Sequence, residues 1–316
     1  MNPDNNVDSE NQRFKIDDAE SYDGVVDYFD KYTQRFTSHM PEAMLAHASV
    51  PENGAVLDVG TGTGVIALAL AERIGSHGKV VGIDLSSGML STAVAKAERL
   101  GLGNQTDFTN MDAEQLEFAD NSFDAAFSLY ALRHFPNPGK SVSEIFRVLK
   151  PGGSIVVAVG SRPALVSLDG MKAAIRTVGS ILRKSTGREL AACEFIDGLI
   201  HKHVPERQDR DVTSFDESHH GFTGSIKSLV VAAGFEKIRS GWKGQYSIVE
   251  SAEDFWLLQM TFSSTARKRL QQASEDVTRR VKEEFFSRCD DVLQKNGRLV
   301  YQTGAAIVSG VKPAGS

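Results

Sequence analysis

The sequence predicts an α/β fold with a doubly wound, seven-stranded and mostly parallel sheet, and with helical lid insertions over one edge of it. Between residues 55 and 160, short apolar runs alternate with helical patterns, and a glycine-rich turn joins the first run to the first helix. Such alternation is typical of a parallel sheet covered by helices on both faces. We divide the 316 residues into an N-terminal helical lid segment (1–50), a core (51–160), a cap insertion (161–222), and a completion of the core (223–316) with a helical insertion at 246–296.

The segment before the first strand is expected to be peripheral. Residues 1–20 are polar, lack the apolar stretch of a secretory signal, and are expected to be disordered or loosely attached. Residues 21–50 carry spaced aromatic side chains and are expected to form one or two short helices. These helices either pack against the domain or form a lid over its ligand, and the sequence leaves both interpretations open.

The core is predicted strand by strand from its apolar runs. One helix is expected over about 64–74, and a second after the cap residue Ser86 or Ser87. A third helix is expected to begin at Pro138, with Asn137 as its cap, and to end at the 151–153 Pro-Gly-Gly turn. The predicted strands are Ala55–Val59, Lys79–Asp84, Thr106–Asn110, Phe123–Leu129 and Ser154–Val159.

Beyond residue 160 the alternation is interrupted twice. Helices are predicted over Ala164–Lys184, Thr223–Gly234 and Ser251–Phe262, with an irregular polar stretch over 201–221. One long helix is expected from the cap residue Ser264 to about residue 295, because its apolar residues recur at helical spacing. The remaining strands are predicted over Phe235–Trp242 and Leu299–Val308.

Composition excludes several classes of function. With 35 basic and 41 acidic residues, the net charge of −6 argues against nucleic acid as the substrate. Two cysteines give neither a disulfide framework nor a metal-ligand cluster, and each is expected to be a small core residue. The longest uncharged apolar stretch is far shorter than the roughly 20 residues of a membrane span. We therefore expect a cytoplasmic protein without a metal.

The glycine-rich turn spans Val56–Gly64, with the sequence Val-Leu-Asp-Val-Gly-Thr-Gly-Thr-Gly. Glycine permits positive φ and brings backbone N–H groups close to a ligand, and the following helix offers unpaired N–H donors. The turn therefore predicts a nucleotide-like cofactor. A dinucleotide fingerprint, G-x-G-x-x-G or its alanine variant, fits only weakly from Gly62, whereas D-x-G-x-G-x-G fits at every position from Asp58.

Carboxylates follow the next two strands. Asp84 ends the second strand, where it can accept hydrogen bonds from ribose hydroxyls in either class of nucleotide cofactor. Asp112 follows the third strand, where a carboxylate can accept from the exocyclic amine of an adenine. Ligands of open parallel sheets bind at the carboxyl ends of the strands, so we expect these groups to meet the glycine turn.

Taken together, five stretches resemble the ubiquinone/menaquinone-type small-molecule branch of the class I S-adenosylmethionine-dependent methyltransferases, which have a Rossmann-like fold. Their order and separation make the resemblance specific over about 50–160, and it is weak over 222–245. The matching stretches are Val56–Gly64, Val81–Ser86 with Met89, Asp112–Glu114, Phe123-Asp124, and Glu144–Gly153.

The resemblance implies S-adenosyl-L-methionine as the cofactor and assigns residues to its parts. Asp84 would hold the ribose, Leu85 and Met89 would flank the adenine, and Asp112 with Ala113 would meet the adenine edge. Ser128, and with it Leu129, would lie near the reactive end. The methionine portion would be lined by Asp58, Gly60, Thr61, Gly62 and Gly64. Asp58 could equally orient the loop instead of contacting the cofactor. Leu85 and Met89 could be core residues instead of flanking the adenine.

The implied reaction is methyl transfer to a small organic molecule of apolar character, at oxygen, carbon or nitrogen. Positioning and electrostatics can supply most of the catalysis, and a base is needed only where the acceptor loses a proton. Histidine suits that task near neutral pH, so His134, His219 and His220 are candidates for the base. The alternative for His134 is a packing role, and the alternative for His219 and His220 is a place in a solvated loop. Tyr28 and Tyr32 are candidates to close over the cofactor.

Other features narrow the acceptor and leave alternatives. The residues after the fourth strand, Ser128–Ala131, lack the Pro-Pro run that grips planar nitrogens in nucleobase and glutamine methylation. The rival functions are a cyclase or lyase that keeps the cofactor without transferring methyl, and a non-catalytic partner subunit. The predicted helix over 264–295 would suit a dimer as well as a lid, so the oligomeric state stays open.

Overall fold

The computed structural model describes residues 3–161, 168–204 and 226–315. Its centre is one sheet, in which the first four strands have the predicted bounds: β1 (Ala55–Val59), β2 (Lys79–Asp84), β3 (Thr106–Asn110) and β4 (Phe123–Leu129). The other strands are β5 (Leu149–Gly160), β6 (Glu189–Ala191), β7 (Glu236–Val249) and β8 (Arg298–Val311).

Strands β3, β2, β1, β4 and β5 are adjacent and parallel, and β8 follows β5 in antiparallel pairing. β7 pairs antiparallel with the far side of β8. The described residues therefore form an eight-stranded sheet rather than the predicted seven-stranded one. The additional strand is β6, three residues that pair in parallel with the first three residues of β8.

The core helices alternate with these strands as the apolar pattern predicts. They are α4 (Val65–Ala71), α5 (Ser87–Arg99), α6 (Pro138–Val148) and α9 (Ile226–Ala232). The side chain of Ser86 caps α5 by accepting from the Met89 N–H, and Asn137 caps α6 by accepting from the Lys140 N–H. Ile145 and Val142 of α6 pack on one face of the sheet, and Ile66 and Leu70 of α4 pack on the other.

The N-terminal segment is helical and attached, contrary to the expectation for residues 1–20. It forms α1 (Pro3–Asp23), α2 (Val26–Thr37) and α3 (Met40–Leu45). The apolar pattern misses α1 because this helix is held by polar contacts to distant residues. Asp23, for example, accepts from the Ser86 hydroxyl at 2.5 Å and from the Gly88 N–H at 3.1 Å.

The insertions form a helical cap beside the sheet. The cap contains α7 (Leu168–Ser185), α8 (Glu194–His203), α10 (Ala252–Phe262), α11 (Ser264–Gln272) and α12 (Glu275–Gln294). The single long helix predicted from Ser264 is wrong, because Ser263 caps α11, and Ser274 caps α12 by accepting from the Val277 N–H. Phe255, Phe285 and Leu299 share the buried apolar core of the cap with Phe36 of α2. Within the described ranges, no helix combines the length and apolar character that crossing a membrane requires.

Candidate active site

The glycine turn after β1 has the backbone conformation that its sequence requires. Gly60 and Gly62 have φ values of +68° and +53°, which side-chain-bearing residues adopt rarely. A Cβ atom at Gly60 would lie 2.1 Å from the Cβ of Ala131, so the turn can pass the segment after β4 only with glycine there. A Cβ at Gly62 would point toward Phe29, across the space that a ligand would occupy.

The Asp58 carboxylate holds this turn in place through hydrogen bonds. One carboxylate oxygen accepts from the Thr61 hydroxyl at 2.7 Å and from the Ala67 N–H at 3.0 Å. Burial raises the pKa of the Asp58 carboxyl to about 7, against the lowering effect of these two hydrogen bonds. The contacts support the loop-orienting role for Asp58, although the residue also borders the cavity described next.

A cavity of about 460 Å³ lies at the carboxyl ends of β1, β2, β3 and β4. Its size is in the range of small-molecule sites. Most of the residues expected to contact a cofactor border this cavity. They are Asp58, Gly60, Thr61, Gly62, Asp84, Leu85, Met89, Asp112 and Ala113.

Asp84 is oriented by the glycine turn itself. Its Oδ2 accepts from the Gly62 N–H at 2.9 Å, and its Oδ1 accepts from the Ser86 N–H at 3.0 Å. Burial raises the pKa of Asp84, and these backbone donors together with the charge of His134 act in the opposite direction. The turn and the carboxylate expected to hold ribose are thus one hydrogen-bonded unit.

Three residues expected at the cofactor do not border the cavity. Tyr32 is wholly buried in the cap core, where its hydroxyl donates to Oδ1 of Asp254 at 2.6 Å, because its helix presents this ring inward. Ser128 is enclosed within the sheet and donates to the Val59 carbonyl at 2.9 Å. Gly64 is the residue before α4, and a Cβ there would meet Ala93 and Leu68. These three residues lie outside the cavity lining, and their contact with the cofactor stays a prediction.

His134 borders the same cavity at the end of a 3-10 helix, Ala131–His134. Its Nδ1 lies 3.0 Å from Oδ2 of Asp18 in α1, and Oδ1 of Asp18 accepts from the Lys268 ammonium at 2.5 Å. Burial would raise the pKa of Asp18, but His134 and Lys268 outweigh it and hold that pKa well below its usual value. The other two histidine candidates, His219 and His220, lie outside the described residues.

Helix α1 also supplies a cation to Asp112, the residue expected to meet the adenine edge. The Lys15 ammonium donates at 2.8 Å to both Asp112 and Glu114. Burial alone would lower the pKa of Lys15. The two carboxylates outweigh burial, so the pKa of Lys15 is raised. The sequence analysis missed Lys15 and Asp18, because nothing local distinguishes them from the other charges of a polar helix.

Part of the cavity has an aromatic wall assembled from four elements. Tyr22 of α1, Phe29 of α2, Phe262 of α10 and Tyr301 of β8 all border it. The Phe262 and Tyr301 rings are stacked with centroids 5.4 Å apart, and Phe29 meets Phe262 edge to face at 5.7 Å. We call this part the aromatic chamber.

Cys193 also borders the aromatic chamber. Burial raises the pKa of its thiol to about 12, so the thiol stays protonated and poorly nucleophilic at neutral pH. Cys193 is half-buried at the cavity rather than in the core, whereas Cys289 is a buried core residue as expected. The described residues contain no cluster of metal-ligating side chains.

The residues present fit the expected cofactor. The positive-φ turn borders the cavity through Gly60 and Gly62, and Asp84 and Asp112 provide acceptors at the end of β2 and just after β3. The aromatic chamber is part of the same cavity.

Comparison with known proteins identifies the family. Residues 56–153 match the family described as "Methyltransferase domain". The ubiquinone/menaquinone biosynthesis C-methyltransferase UbiE of Brucella abortus (strain S19) is 31% identical over 232 residues, which cover 71% of this chain and 82% of that protein. The demethylmenaquinone methyltransferase of Oceanobacillus iheyensis is 30% identical over 207 residues, covering 65% and 79%.

Solved structures confirm the fold. The YcgJ protein from Bacillus subtilis matches with a TM-score of 0.51 and 21% identity, covering 87% of this chain and 98% of that one. A Bacillus halodurans protein described as a candidate methyltransferase matches with a TM-score of 0.53 and 22% identity, covering 87% and 99%. The chain therefore belongs to the ubiquinone/menaquinone-type class I methyltransferases, enzymes that transfer a methyl group from S-adenosylmethionine to a small molecule.

Proposed function

We propose that the acceptor is a hydroxylated aromatic ring that binds in the aromatic chamber. The observation that carries this proposal is the wall of four aromatic side chains, Tyr22, Phe29, Phe262 and Tyr301, beside the cofactor-binding strand ends. Flat rings stack or meet edge to face with such walls. The names of the two relatives, one for ubiquinone/menaquinone biosynthesis and one for demethylmenaquinone, support an acceptor ring of this kind.

S-adenosylmethionine, when bound, supplies an electrophilic methyl group on a sulfonium, so the protein need not activate the donor. The task left to the chain is to place the acceptor and to exclude water. Asp84 and the glycine turn hold the donor side, and the aromatic chamber holds the acceptor side. Holding two reactants at near-attack distance contributes up to about 7–11 kcal/mol in favourable cases.

We also propose that His134 takes the proton that a hydroxylated acceptor loses. Because Asp18 stays ionised, it accepts from Nδ1–H of His134 and stabilises the imidazolium that proton uptake forms. The neutral imidazole then has its lone pair on Nε2. The arrangement is that of a carboxylate-oriented histidine base.

The acceptor proposal is tested with labelled S-adenosylmethionine and a reduced naphthoquinone as the aromatic probe, against an aliphatic carboxylic acid as the control. We expect label in the naphthol ring and one S-adenosylhomocysteine per methylated product. Label in the aliphatic acid alone would overturn the aromatic acceptor. Conversion of a probe without S-adenosylhomocysteine would instead indicate the cyclase or lyase alternative.

The base is tested with His134→Gln, and with His77→Gln at an exposed surface position as the control. We expect kcat for the naphthol to fall by about 10²–10⁴ and the acidic limb of its pH profile to disappear, while the Kd for S-adenosylmethionine measured by calorimetry stays unchanged. His77→Gln should retain both. An unchanged pH profile, or a Kd weakened as much as kcat falls, would contradict the role of His134 as a base.

A further inference from the structure

Helix α7 carries an apolar stripe that faces away from the protein. Five large apolar side chains of this helix are between 51% and 74% exposed: Met171, Ile175, Val178, Ile181 and Leu182. At about 100° per residue, Met171, Ile175, Val178 and Leu182 lie within roughly 60° of one another around the helix. The 18-residue helix is about 27 Å long, and the stripe is the part of it that runs from Met171 to Leu182.

The opposite side of α7 is attached to the sheet by a polar cluster. Ser180 lies about 180° from the stripe, is buried, and donates to Glu189 of β6. The same carboxylate accepts from the Arg183 Nε at 2.6 Å and from the Tyr246 hydroxyl at 3.3 Å. These contacts determine which side of α7 faces outward.

This attachment places α7 on one face of the sheet. Tyr246 of β7 is the cross-strand partner of Gln302 in β8, so its side chain lies on the face opposite to that of Tyr301. The helix therefore packs across the sheet from the Tyr301 ring, with its apolar stripe directed outward.

The charge of α7 is opposite to that of the chain as a whole. The helix contains four basic residues and one acidic residue, whereas the chain has a net charge of −6. Arg183 and Lys184 are paired with Glu189 and Glu194. Lys172 and Arg176 are exposed and lie on one flank, about 100–140° from the stripe.

We propose that α7 docks on the surface of an anionic lipid bilayer. The apolar stripe would enter the boundary between head groups and acyl chains, and Lys172 and Arg176 would contact lipid phosphates, with their aliphatic stems along the apolar surface. A second copy of this chain would present a helix with the same excess of basic residues, four against one acidic, so it fits less well than an anionic surface. Docking would hold the enzyme at a bilayer, into which apolar acceptors partition.

Docking is tested by flotation of the whole protein with vesicles, without cofactor or acceptor, so the outcome is independent of the proposed function. We expect binding to phosphatidylcholine vesicles that contain phosphatidylglycerol, with weaker binding to phosphatidylcholine alone and at high salt. Lys172→Gln with Arg176→Gln should weaken binding about 25-fold, since each basic residue near an anionic surface contributes about fivefold. Ile175→Gln with Val178→Gln should weaken it at least tenfold.

Matched controls come from exposed residues on other helices. Lys227→Gln with Arg99→Gln removes two exposed basic residues, and Leu100→Gln with Val231→Gln removes two exposed apolar ones. Both controls should bind vesicles like the wild type, and all four variants should keep the wild-type circular dichroism and Tm. The absence of wild-type binding, or equal losses in variants and controls, would overturn the proposal. So would a concentration-dependent dimer in sedimentation velocity that Ile175→Gln with Val178→Gln abolishes.

Discussion

Asp58 is enclosed beneath the glycine turn, and its ionisation has a consequence for stability. Its pKa rises from the ordinary value of 3.8 in the unfolded chain to about 7 in the folded one, through burial. Between these two pH values the unfolded chain releases a proton that the folded chain retains. The free energy of unfolding therefore falls as pH rises through this window, by on the order of 4 kcal/mol from this group.

Asp58→Asn should remove that dependence, because an amide does not ionise and its oxygen can still accept from Thr61 and Ala67. The measurement is denaturant unfolding at about pH 5 and about pH 7.5. We expect the difference between these two free energies to be smaller in Asp58→Asn than in the wild type, and unaltered in the exposed control Asp107→Asn. Equal differences in all three proteins would show that Asp58 ionises normally.

At the scale of elements, α1 is connected to the core mainly through charges. Lys15 lies between Asp112 and Glu114, and removing it would leave two buried or half-buried carboxylates without their cation. We expect Lys15→Met to speed amide hydrogen exchange in α1 about tenfold or more. The control in the same helix is Arg13→Met, whose exposed pair with Asp17 contributes little. Equal exchange in both variants would show that Lys15 does not hold the helix.

The same elements show what the sequence could predict. The bounds of β1 to β4 were correct, because β1, β2 and β4 are mostly apolar runs and β3 follows the glycines that end the preceding helix. β7 extends to Val249, well past the predicted Trp242, because β8 pairs with it along its whole length. Pairing of this kind depends on distant residues, as do the contacts of Lys15, Asp18 and Tyr32, and no local pattern contains them.

At the scale of the whole molecule, cofactor binding should stabilise the fold, because its expected contacts come from several strands at once. A ligand at about 100 times its Kd adds about 2.7 kcal/mol to the free energy of unfolding. We expect S-adenosylmethionine to raise the Tm of the wild type by several degrees, and to raise that of Asp84→Ala much less. Asp107→Ala is the matched control. A full shift in Asp84→Ala would undo the assignment of Asp84 to the ribose.

The position of β8 in the sheet has a consequence for synthesis on the ribosome. This strand leaves the ribosome after all the others, yet it lies between β5 and β7 and contributes Tyr301 and Gln302 to the cavity. The glycine turn, Asp84 and Asp112 are all translated about 190 residues earlier or more. We expect a nascent chain to assemble its donor-binding half first and to lack an acceptor compartment until translation has passed β8.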